Sequence, residues 1–243
     1  MKSMKILAVA FAWNEINYIQ RMVHYYRQQG CDLNIIDNCS TDGTYQWLQN
    51  HGVRTRQKDT HNTFNLLKLQ GALVNDIRAV KPDWVVYTGI DVYFIFDKTI
   101  RETIEQADAE GYNMVSVQYF NVYNTGERRT GEAKNDFFFA RKFKRLYMIA
   151  KYQEPFGFEA DSIQVKEKKI FDANGVFLNY GNCKSSEERE ATYRRRKRAW
   201  DEGLDRNYGV HYLEGRTRNW IWSKDELIDL RTTEYYKYIK KIL

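Results

Sequence analysis

The sequence has few residues that interrupt or cross-link a chain. Its 243 residues include only 2 prolines, 14 glycines and 3 cysteines. No stretch approaches the ~18 consecutive apolar residues of a membrane span, and no period or biased tract indicates a solenoid, collagen-like or low-complexity chain. The cysteines, Cys31, Cys39 and Cys183, cannot all pair and form no CxxC motif, which predicts a reduced, cytoplasmic compartment.

The composition is typical of a globular domain rather than of a disordered chain. Hydrophobic residues make up 43% of the sequence and charged residues 29%, close to ordinary values. A chain of this length suits one large core, and no Gly-, Pro- or Ser-rich linker divides it. We therefore expect a single domain over residues 1–243, with two halves, 1–111 and 112–243, that differ in pattern.

Positive charge is concentrated in one segment. The formal net charge is +6, and residues 184–198 hold seven basic side chains against three glutamates. Such a basic face favours a polyanionic partner: nucleotide phosphates, nucleic acid, or a membrane surface that the protein would contact peripherally from the cytoplasmic side. The alternative is a solvated helix with i,i+4 pairs such as Glu190–Arg194, and the sequence leaves both open.

The first 111 residues alternate between strand and helix patterns. A continuous apolar run at 5–13 predicts a first strand that is buried on both faces. Further strands are predicted at 32–37, 53–57 and 84–87. Apolar residues at helical spacing predict helices at 16–29, 44–50, 64–80 and 97–110, with Gly30 and Gly111 as stops. This order predicts right-handed crossovers and a mainly parallel sheet covered on both faces, in which ligands bind at the carboxyl ends of the strands.

The second half has a different pattern. Aromatic, alternating segments predict strands at 114–123, 137–142 and 144–151, and a further strand is expected at 175–180. A charged helix is predicted over 186–202, where Ser185 and Glu188 have capping-box spacing. The sequence therefore predicts an α/β protein with a regular first half and an irregular second half.

Two polar segments follow the first two predicted strands and define a candidate site. Asn14 and Glu15 follow the first strand, and the second ends at Asp37 before the turn Asn38-Cys39-Ser40-Thr41-Asp42-Gly43-Thr44. Asp37 can accept hydrogen bonds from the base or ribose of a ligand, and the amide dipoles at the helix start favour an anion. Helix capping alone would explain the turn but not Asp37.

These segments resemble the nucleotide-sugar site of family 2-like glycosyltransferases, which have the GT-A fold. Residues 11–15, Phe-Ala-Trp-Asn-Glu, match the Asn-Glu after strand one, residues 37–44 match DNxSTDGT, and the helix between them also matches. The resemblance implies a Rossmann-like mixed sheet, mainly parallel and flanked by helices, with a nucleotide-sugar-binding half at 1–111 and an acceptor-side half at 112–243 with basic C-terminal helices. It implies donor-nucleotide contacts from Asn14, Glu15, Asp37, Asn38 and Asp42.

The family's metal motif is incomplete in this chain. The resemblance implies an Asp-x-Asp after strand four, whose carboxylates hold Mg²⁺ or Mn²⁺ on the donor diphosphate. The first aspartate is replaced by Gly89, only Asp91 remains, and Asn179 stands where some relatives have a late His. Three alternatives follow: Asp91 binds one metal together with phosphates and waters, the enzyme is metal-independent, or the chain is inactive. In the second case Lys184 would neutralise the diphosphate as a point charge.

The acceptor side is expected to supply a carboxylate base, because an inverting transfer removes the proton of the acceptor hydroxyl. Residues 155–161, Pro-Phe-Gly-Phe-Glu-Ala-Asp, resemble the family's acidic motif. Asp161 is the predicted base and Glu159 the second candidate; Asp136 and Asp172 stay open.

Two further residues are candidates for the donor pocket. The resemblance implies that Lys68, in the helix at 64–80, faces the nucleotide, although a plain helix-surface position is the simpler interpretation. His211, in the segment Tyr-Gly-Val-His-Tyr, is a weaker candidate for ligand contact.

The expected activity is transfer of a sugar from a UDP- or GDP-type donor to a hydroxyl of a glycan, lipid-linked or other acceptor, with inversion as the favoured outcome. The alternative is a catalytically degenerate module that binds a nucleotide sugar or a polyanion such as nucleic acid. A nucleotidyltransferase would need a glycine-rich phosphate loop near the N-terminus, and residues 10–15 contain no glycine.

Overall fold

The computed structural model describes residues 3–123, 125–126, 133–134, 139–159, 162–184, 186–202 and 227–240. Strands and helices alternate at the start of the chain: β1 (Ile6–Ala12), α1 (Ile16–Gln28), β2 (Asp32–Asp37), α2 (Thr44–Asn50), β3 (Arg54–Gln57), α3 (Leu66–Val80), β4 (Trp84–Tyr87), β5 (Val92–Phe96) and α4 (Ile100–Ala109). Strands predominate afterwards: β6 (Met114–Tyr123), β7 (Thr125–Gly126), β8 (Ala133–Lys134), β9 (Phe139–Lys142), β10 (Leu146–Lys151), β11 (Phe158–Glu159), β12 (Ser162–Ile163), β13 (Ile170–Asn182), α5 (Ser186–Asp201), β14 (Ile228–Asp229), a 3₁₀ turn (Leu230–Thr232) and α6 (Tyr236–Ile239).

The N-terminal part of the sheet is parallel. Strand β1 lies between β2 and β4, and β3 extends the sheet beyond β2. All four residues of β4 are buried, and so are six of the seven in β1, as expected for strands with helices on both faces. Ala12 is in register with Asp37, so β1 and β2 end side by side and their polar loops leave the sheet together.

The C-terminal part of the sheet is mixed. Strand β10 runs antiparallel to both β4 and β6, and β9 pairs antiparallel with β6 and β14. The long strand β13 is parallel to β6 and antiparallel to β5. The predicted fold class is confirmed: an α/β protein with a mixed sheet, parallel through its N-terminal strands and flanked by helices.

Several predicted boundaries are correct because strong local signals set them. The ends of β2, α2, β4 and β6 fall where the apolar patterns place them. Gly30 and Gly111 have φ of +80° and +81°, a left-handed conformation that glycine adopts without strain and that stops a helix.

Other boundaries differ from the prediction. Strand β5 was not predicted, although its five residues are all buried. The helix expected from residue 97 begins at Ile100, because Thr99 caps it: the backbone N–H of Thr99 donates to Glu102 Oε2 at 2.8 Å, and the N–H of Glu102 donates to Thr99 Oγ1 at 3.1 Å. Strand β13 extends the segment predicted at 175–180 in both directions.

The fold also bears on the expectations for membrane spans, cysteines and the cap of the basic helix. No helix among the described residues is both long enough and apolar enough to span a membrane. All three cysteines are free thiols. Ser185, the predicted capping residue of the basic helix, lies outside the described residues.

Candidate functional site

The loops after β1 and β2 are joined through Asn14. Its backbone N–H donates to Ser40 Oγ at 2.8 Å, and its Oδ1 accepts the backbone N–H of Thr41 at 2.8 Å. Asn14 has a φ of +53°, a conformation that asparagine tolerates better than most residues. The Asn14 side chain therefore holds the two loops together, and its contact with a nucleotide stays a prediction.

Asp42 has a comparable role at the start of α1. Its Oδ2 accepts the backbone N–H of Ile16 at 3.0 Å, and its Oδ1 accepts the backbone N–H of Thr44 at 3.0 Å. Thr44 Oγ1 in turn accepts the N–H of Glu15 at 2.9 Å. A carboxylate from one loop thus caps a helix that follows the other, so Glu15 is held at a fixed place on the carboxyl edge of the sheet.

Asp37 is the buried acceptor of this edge. It is 0% exposed, and its Oδ1 accepts the N–H of Ser40 at 2.9 Å and Gln57 Nε2 at 3.4 Å. Its Oδ2 is buried and has no hydrogen-bond partner within the described part of the chain. Because a buried carboxylate oxygen normally has a donor, Asp37 Oδ2 is suited to accept one from a ligand.

Asn38 and Lys68 differ from Asp37. Asn38 Oδ1 accepts from the backbone N–H and the hydroxyl of Thr60, and its Nδ2 donates to the carbonyl oxygen of Thr63 at 3.0 Å. Asn38 therefore fixes the loop before α3. Lys68 lies exposed in the first turn of α3, where its backbone N–H donates to Asn65 Oδ1 at 3.0 Å. The nucleotide contacts of both residues stay predictions.

The centre of the site is a three-residue ion-pair cluster. Lys184 Nζ lies 2.7 and 2.8 Å from the two carboxylate oxygens of Glu15 and 3.1 Å from Asp91 Oδ2. The Lys184 side chain is 11% exposed, and those of Glu15 and Asp91 are 16% and 21% exposed. Three predicted site residues, from three distant parts of the sequence, therefore meet at one point.

Burial and charge act in opposite directions within this cluster. Burial raises the pKa of Glu15 to about 7; the Lys184 charge opposes this rise, and that of Asp91 adds to it. Burial disfavours the ammonium of Lys184, but the Asp91 and Glu15 carboxylates outweigh that effect and raise its pKa above the ordinary value. Lys184 is therefore a cation at neutral pH.

The turn that carries Asp91 is fixed from two sides. Tyr26 of α1 places its hydroxyl 2.6 Å from Thr88 Oγ1 and donates to the carbonyl oxygen of Val92 at 3.0 Å. The carbonyl oxygen of Asp91 accepts the N–H of Tyr180, from β13, at 2.9 Å. A Cβ on the neighbouring Gly181 would lie 2.9 Å from Asp91 Oδ2, so only glycine fits there without moving the carboxylate.

The arrangement does not fit a resident divalent cation. A hard metal ion would need several oxygen ligands around one point, and the point between Glu15 and Asp91 holds the ammonium of Lys184. Position 89 supplies no carboxylate, and Asn179 Oδ1 accepts the backbone N–H of Gly181 at 2.8 Å. Across the described ranges, no group of three His, Cys, Asp or Glu residues is placed to hold a metal.

Helix α5 contributes an arginine that the sequence analysis did not single out. The guanidinium of Arg195 lies 3.6 Å from the ring centre of Trp13, and its Nη2 donates to the carbonyl oxygen of Thr63 at 3.1 Å. Burial and the neighbouring charge of Arg196 lower the pKa of Arg195 to about 9, which still leaves it charged at neutral pH. The signal available in the sequence was the position of Trp13 directly before Asn14, which places an aromatic ring beside the candidate site.

The acceptor-side candidates are only partly described. Glu159 is exposed on the short hairpin of β11 and β12. Its neighbour Phe158 packs on Tyr87, at the end of β4, with ring centres 4.7 Å apart, so the hairpin lies beside the strand that leads to Asp91. Asp161, the predicted base, lies outside the described residues, as do Asp136 and His211.

Asp172 lies elsewhere in the fold. It pairs with Arg145 at 3.5 Å and accepts a hydrogen bond from Ser116. These contacts are made within β6, β13 and the segment before β10, and they give Asp172 a structural role there.

Comparison with known proteins identifies a family. A family model described as Glycosyl transferase family 2 matches residues 8–174, more than half of the chain. Among curated proteins, none matches the chain significantly.

Solved structures of glycosyltransferases and other proteins resemble the chain at low identity. TarS from S. aureus is 17% identical with a TM-score of 0.42, over 51% of this chain and 23% of that one. Glucosyl-3-phosphoglycerate synthase from Mycobacterium tuberculosis, in a complex with Mn²⁺ and UDP, is 19% identical with a TM-score of 0.33, over 49% and 44%. HddC from Yersinia pseudotuberculosis is 12% identical with a TM-score of 0.42, over 79% and 99%. The chain therefore spans less than a quarter of TarS, and likeness at these scores does not extend to substrate or cofactor.

Proposed function

Because this chain belongs to glycosyl transferase family 2, we propose that it moves a sugar from a UDP- or GDP-type donor to a hydroxyl group. The acceptor is a glycan, a lipid-linked or another hydroxyl compound, and the transfer inverts the anomeric carbon. Membership of the family makes the chain a glycosyltransferase. The donor, the acceptor and the stereochemistry are proposed here. Cytoplasmic location, peripheral membrane contact and the alternative of a degenerate binding module stay predictions.

The observation that carries the donor site is the free oxygen of Asp37. A fully buried carboxylate without a donor for one oxygen is unfavourable in a folded protein. The missing hydrogen bond is accounted for if an N–H or O–H group of a nucleoside donates to Asp37 Oδ2 when the donor binds. The loops joined through Asn14 and Asp42 form the rim of this site. Because Asp37 is 0% exposed, part of this rim has to shift for a nucleoside to reach Oδ2.

The chemistry needs a base on the acceptor side. The acceptor hydroxyl gives its proton to a carboxylate as its oxygen attacks the anomeric carbon, and the bond from that carbon to the nucleoside diphosphate breaks with its electrons on the leaving oxygen. Asp161 is the proposed base and Glu159 the second candidate. The exposed position of Glu159 on a hairpin beside β4 supports this part of the sheet as the acceptor side.

Calorimetric titration of UDP, GDP and their sugars into the purified protein tests the donor site. The variant Asp37→Asn keeps the shape of the side chain but removes the anionic acceptor. We expect it to bind the preferred nucleotide about 10- to 100-fold more weakly, because a hydrogen bond to a charged group contributes ~1.5–3 kcal/mol. Asp32→Asn is the matched control, since Asp32 is the exposed residue at the other end of β2.

Two results would contradict the proposal. The first is that no uridine or guanosine nucleotide binds the wild type. The second is that nucleotides bind equally well to wild type, Asp37→Asn and Asp32→Asn, which would place the ligand away from the end of β2. Release of sugar from the preferred donor, measured with and without a panel of hydroxyl acceptors, then separates transfer from binding alone.

A further inference from the structure

The cation of this site is part of the chain. We propose that the ammonium of Lys184 takes the place of a divalent metal ion, so that donor binding and transfer are metal-independent. This inference rests on the proposed function for the identity of the ligand, a nucleoside diphosphate. It rests on the geometry of Glu15, Asp91 and Lys184 for the identity of the cation.

The ammonium of Lys184 lies where two carboxylates converge. Two carboxylates, one from the loop after β1 and one from the turn between β4 and β5, converge on Lys184 Nζ at 2.7 and 3.1 Å. Carboxylates from separate loops that share one cation are the arrangement by which proteins hold Mg²⁺ or Mn²⁺. A metal ion at this point would have to displace the buried ammonium of Lys184 from both carboxylates. The displaced ammonium would then stay close enough to repel the metal ion.

The surroundings support a lysine rather than a metal. The ammonium lies 5.0 Å from the ring centre of Tyr18, whose hydroxyl donates to Glu188 Oε2 at 2.8 Å on α5. An aromatic ring stabilises an ammonium through its face but offers no ligand to Mg²⁺. The ring and the start of α5 together fix the lysine in place.

The net charge of the site also supports a lysine in place of a metal ion. If a divalent ion lay where the ammonium of Lys184 lies, between Glu15 and a complete Asp-x-Asp motif, three carboxylates would surround it. In this chain Gly89 removes one negative charge, and Lys184 supplies one positive charge in place of two. With Glu15 ionised, the net charge of the site is the same in both arrangements, because the positive charge lost with the divalent ion is matched by the negative charge that Gly89 does not supply.

The ammonium can also reach a ligand. It has three N–H donors, and Glu15 accepts at both of its oxygens. If Glu15 gives up one of these contacts, a donor is released for a diphosphate oxygen while Asp91 still orients the lysine. A point charge held in this way neutralises a phosphate without a metal.

The test measures the affinity of the 243-residue chain for Mn²⁺ without nucleotide, with the free Mn²⁺ quantified by electron paramagnetic resonance. Lys184→Ala leaves Glu15 and Asp91 next to each other without a cation, and we expect it to bind Mn²⁺ at least ten-fold more tightly than the wild type. Lys151→Ala is the control: Lys151 Nζ lies 2.7 Å from Asp108 Oδ1 in an ion pair away from the site, and this variant should bind Mn²⁺ as weakly as the wild type. Equal Mn²⁺ affinity of wild type and Lys184→Ala overturns the inference.

A second arm measures nucleotide binding in EDTA and in Mn²⁺. The wild type should bind equally under both conditions, whereas Lys184→Ala should bind weakly in EDTA and recover at least in part with Mn²⁺. Wild-type binding that is lost in EDTA and restored by Mn²⁺ overturns the inference. If no nucleotide binds the wild type, the proposed function fails, and the Mn²⁺ arm alone decides the inference. Lys184→Gln, which keeps most of the side-chain length, replaces Lys184→Ala if thermal melting shows that the alanine variant does not fold.

Discussion

Glu15 is the residue whose protonation the fold changes most clearly within the site. Burial raises its pKa from 4.5 to about 7, with the Lys184 charge acting against the rise and the Asp91 charge adding to it. A carboxyl group with a higher pKa in the folded state than in the unfolded state binds more protons when folded. Its stabilising contribution is therefore complete below pH 4.5 and is lost as the pH rises through about 7.

The variant Glu15→Gln should remove this pH dependence. Between pH 4.5 and 7.5, we expect the free energy of unfolding of the wild type to fall by up to about 3 kcal/mol relative to the variant, since one pKa unit corresponds to ~1.4 kcal/mol. Above pH 8 the two curves should run parallel. Urea denaturation followed by circular dichroism at each pH measures the difference.

The control for this experiment is Glu105→Gln, which changes a half-exposed glutamate in a surface pair with Arg101. Its stability should follow that of the wild type across the same range. Parallel curves for Glu15→Gln and the wild type below pH 7 would mean that Glu15 ionises at an ordinary pKa and that the cluster is more hydrated than its geometry indicates.

Among the elements, α5 connects the two halves of the molecule. It holds Arg195 against Trp13, which follows β1, and against the carbonyl oxygen of Thr63, which precedes α3. The neighbouring Arg194 points away from the fold and pairs at 3.2 Å with Glu190, one turn earlier on the same helix. Two adjacent arginines thus have opposite environments.

Removing these arginines singly should therefore have unequal effects. We expect Arg195→Ala to lower the free energy of unfolding by about 2–3 kcal/mol, because it removes a desolvated cation–π contact and a buried hydrogen bond. Arg194→Ala should cost at most about 0.5 kcal/mol, the usual contribution of an exposed i,i+4 pair. Chemical denaturation of both variants measures this, and equal losses would show that α5 does not dock through Arg195.

The sequence predicts elements better than it predicts contacts between them. The boundaries of β2 and β4 are encoded locally by apolar runs and the polar residues that follow them. Strand β5 was missed because it starts directly after Asp91, where a polar turn hides the beginning of a new apolar run. The pair of Lys184 and Glu15 joins residues 169 positions apart, and no local pattern specifies such a distance.

The same limit applies to the roles of the site residues. The motifs identify which segments reach the carboxyl edge of the sheet, and the structure brings Glu15, Asp91 and Lys184 together there. The motifs do not show that Asn14 and Asp42 make backbone contacts across the two loops. Those contacts depend on the register of β1 and β2, which is a property of the folded sheet.

For the molecule as a whole, the described side chains of the basic segment 184–198 divide between the candidate site and the outer surface. Lys184 is committed to the ion-pair cluster, and Arg195 and Arg196 lie over the rings of Trp13 and Phe64. Arg194 and Lys197 lie on the outside, in pairs with Glu190 and Asp201. Exposed pairs of this kind are weak, so these two cations can exchange their partners for phosphates at little cost. A nucleotide site and a polyanion surface would therefore use different residues of one segment.

This separation predicts the outcome of a double substitution. In the double variant Arg194→Ala with Lys197→Ala, the slope of log K against log salt for binding to a DNA duplex should decrease in magnitude by about 2 units. Each lost phosphate contact contributes ~0.9 to that slope. Nucleotide binding by the same variant should equal that of the wild type. Fluorescence anisotropy from 50 to 200 mM salt, the range over which such contacts weaken strongly, gives the slope. If the slope for the wild type is already below about 2 in magnitude, nucleic acid is not a partner of this helix face. If the double variant also loses nucleotide binding, the donor and the polyanion compete for one site.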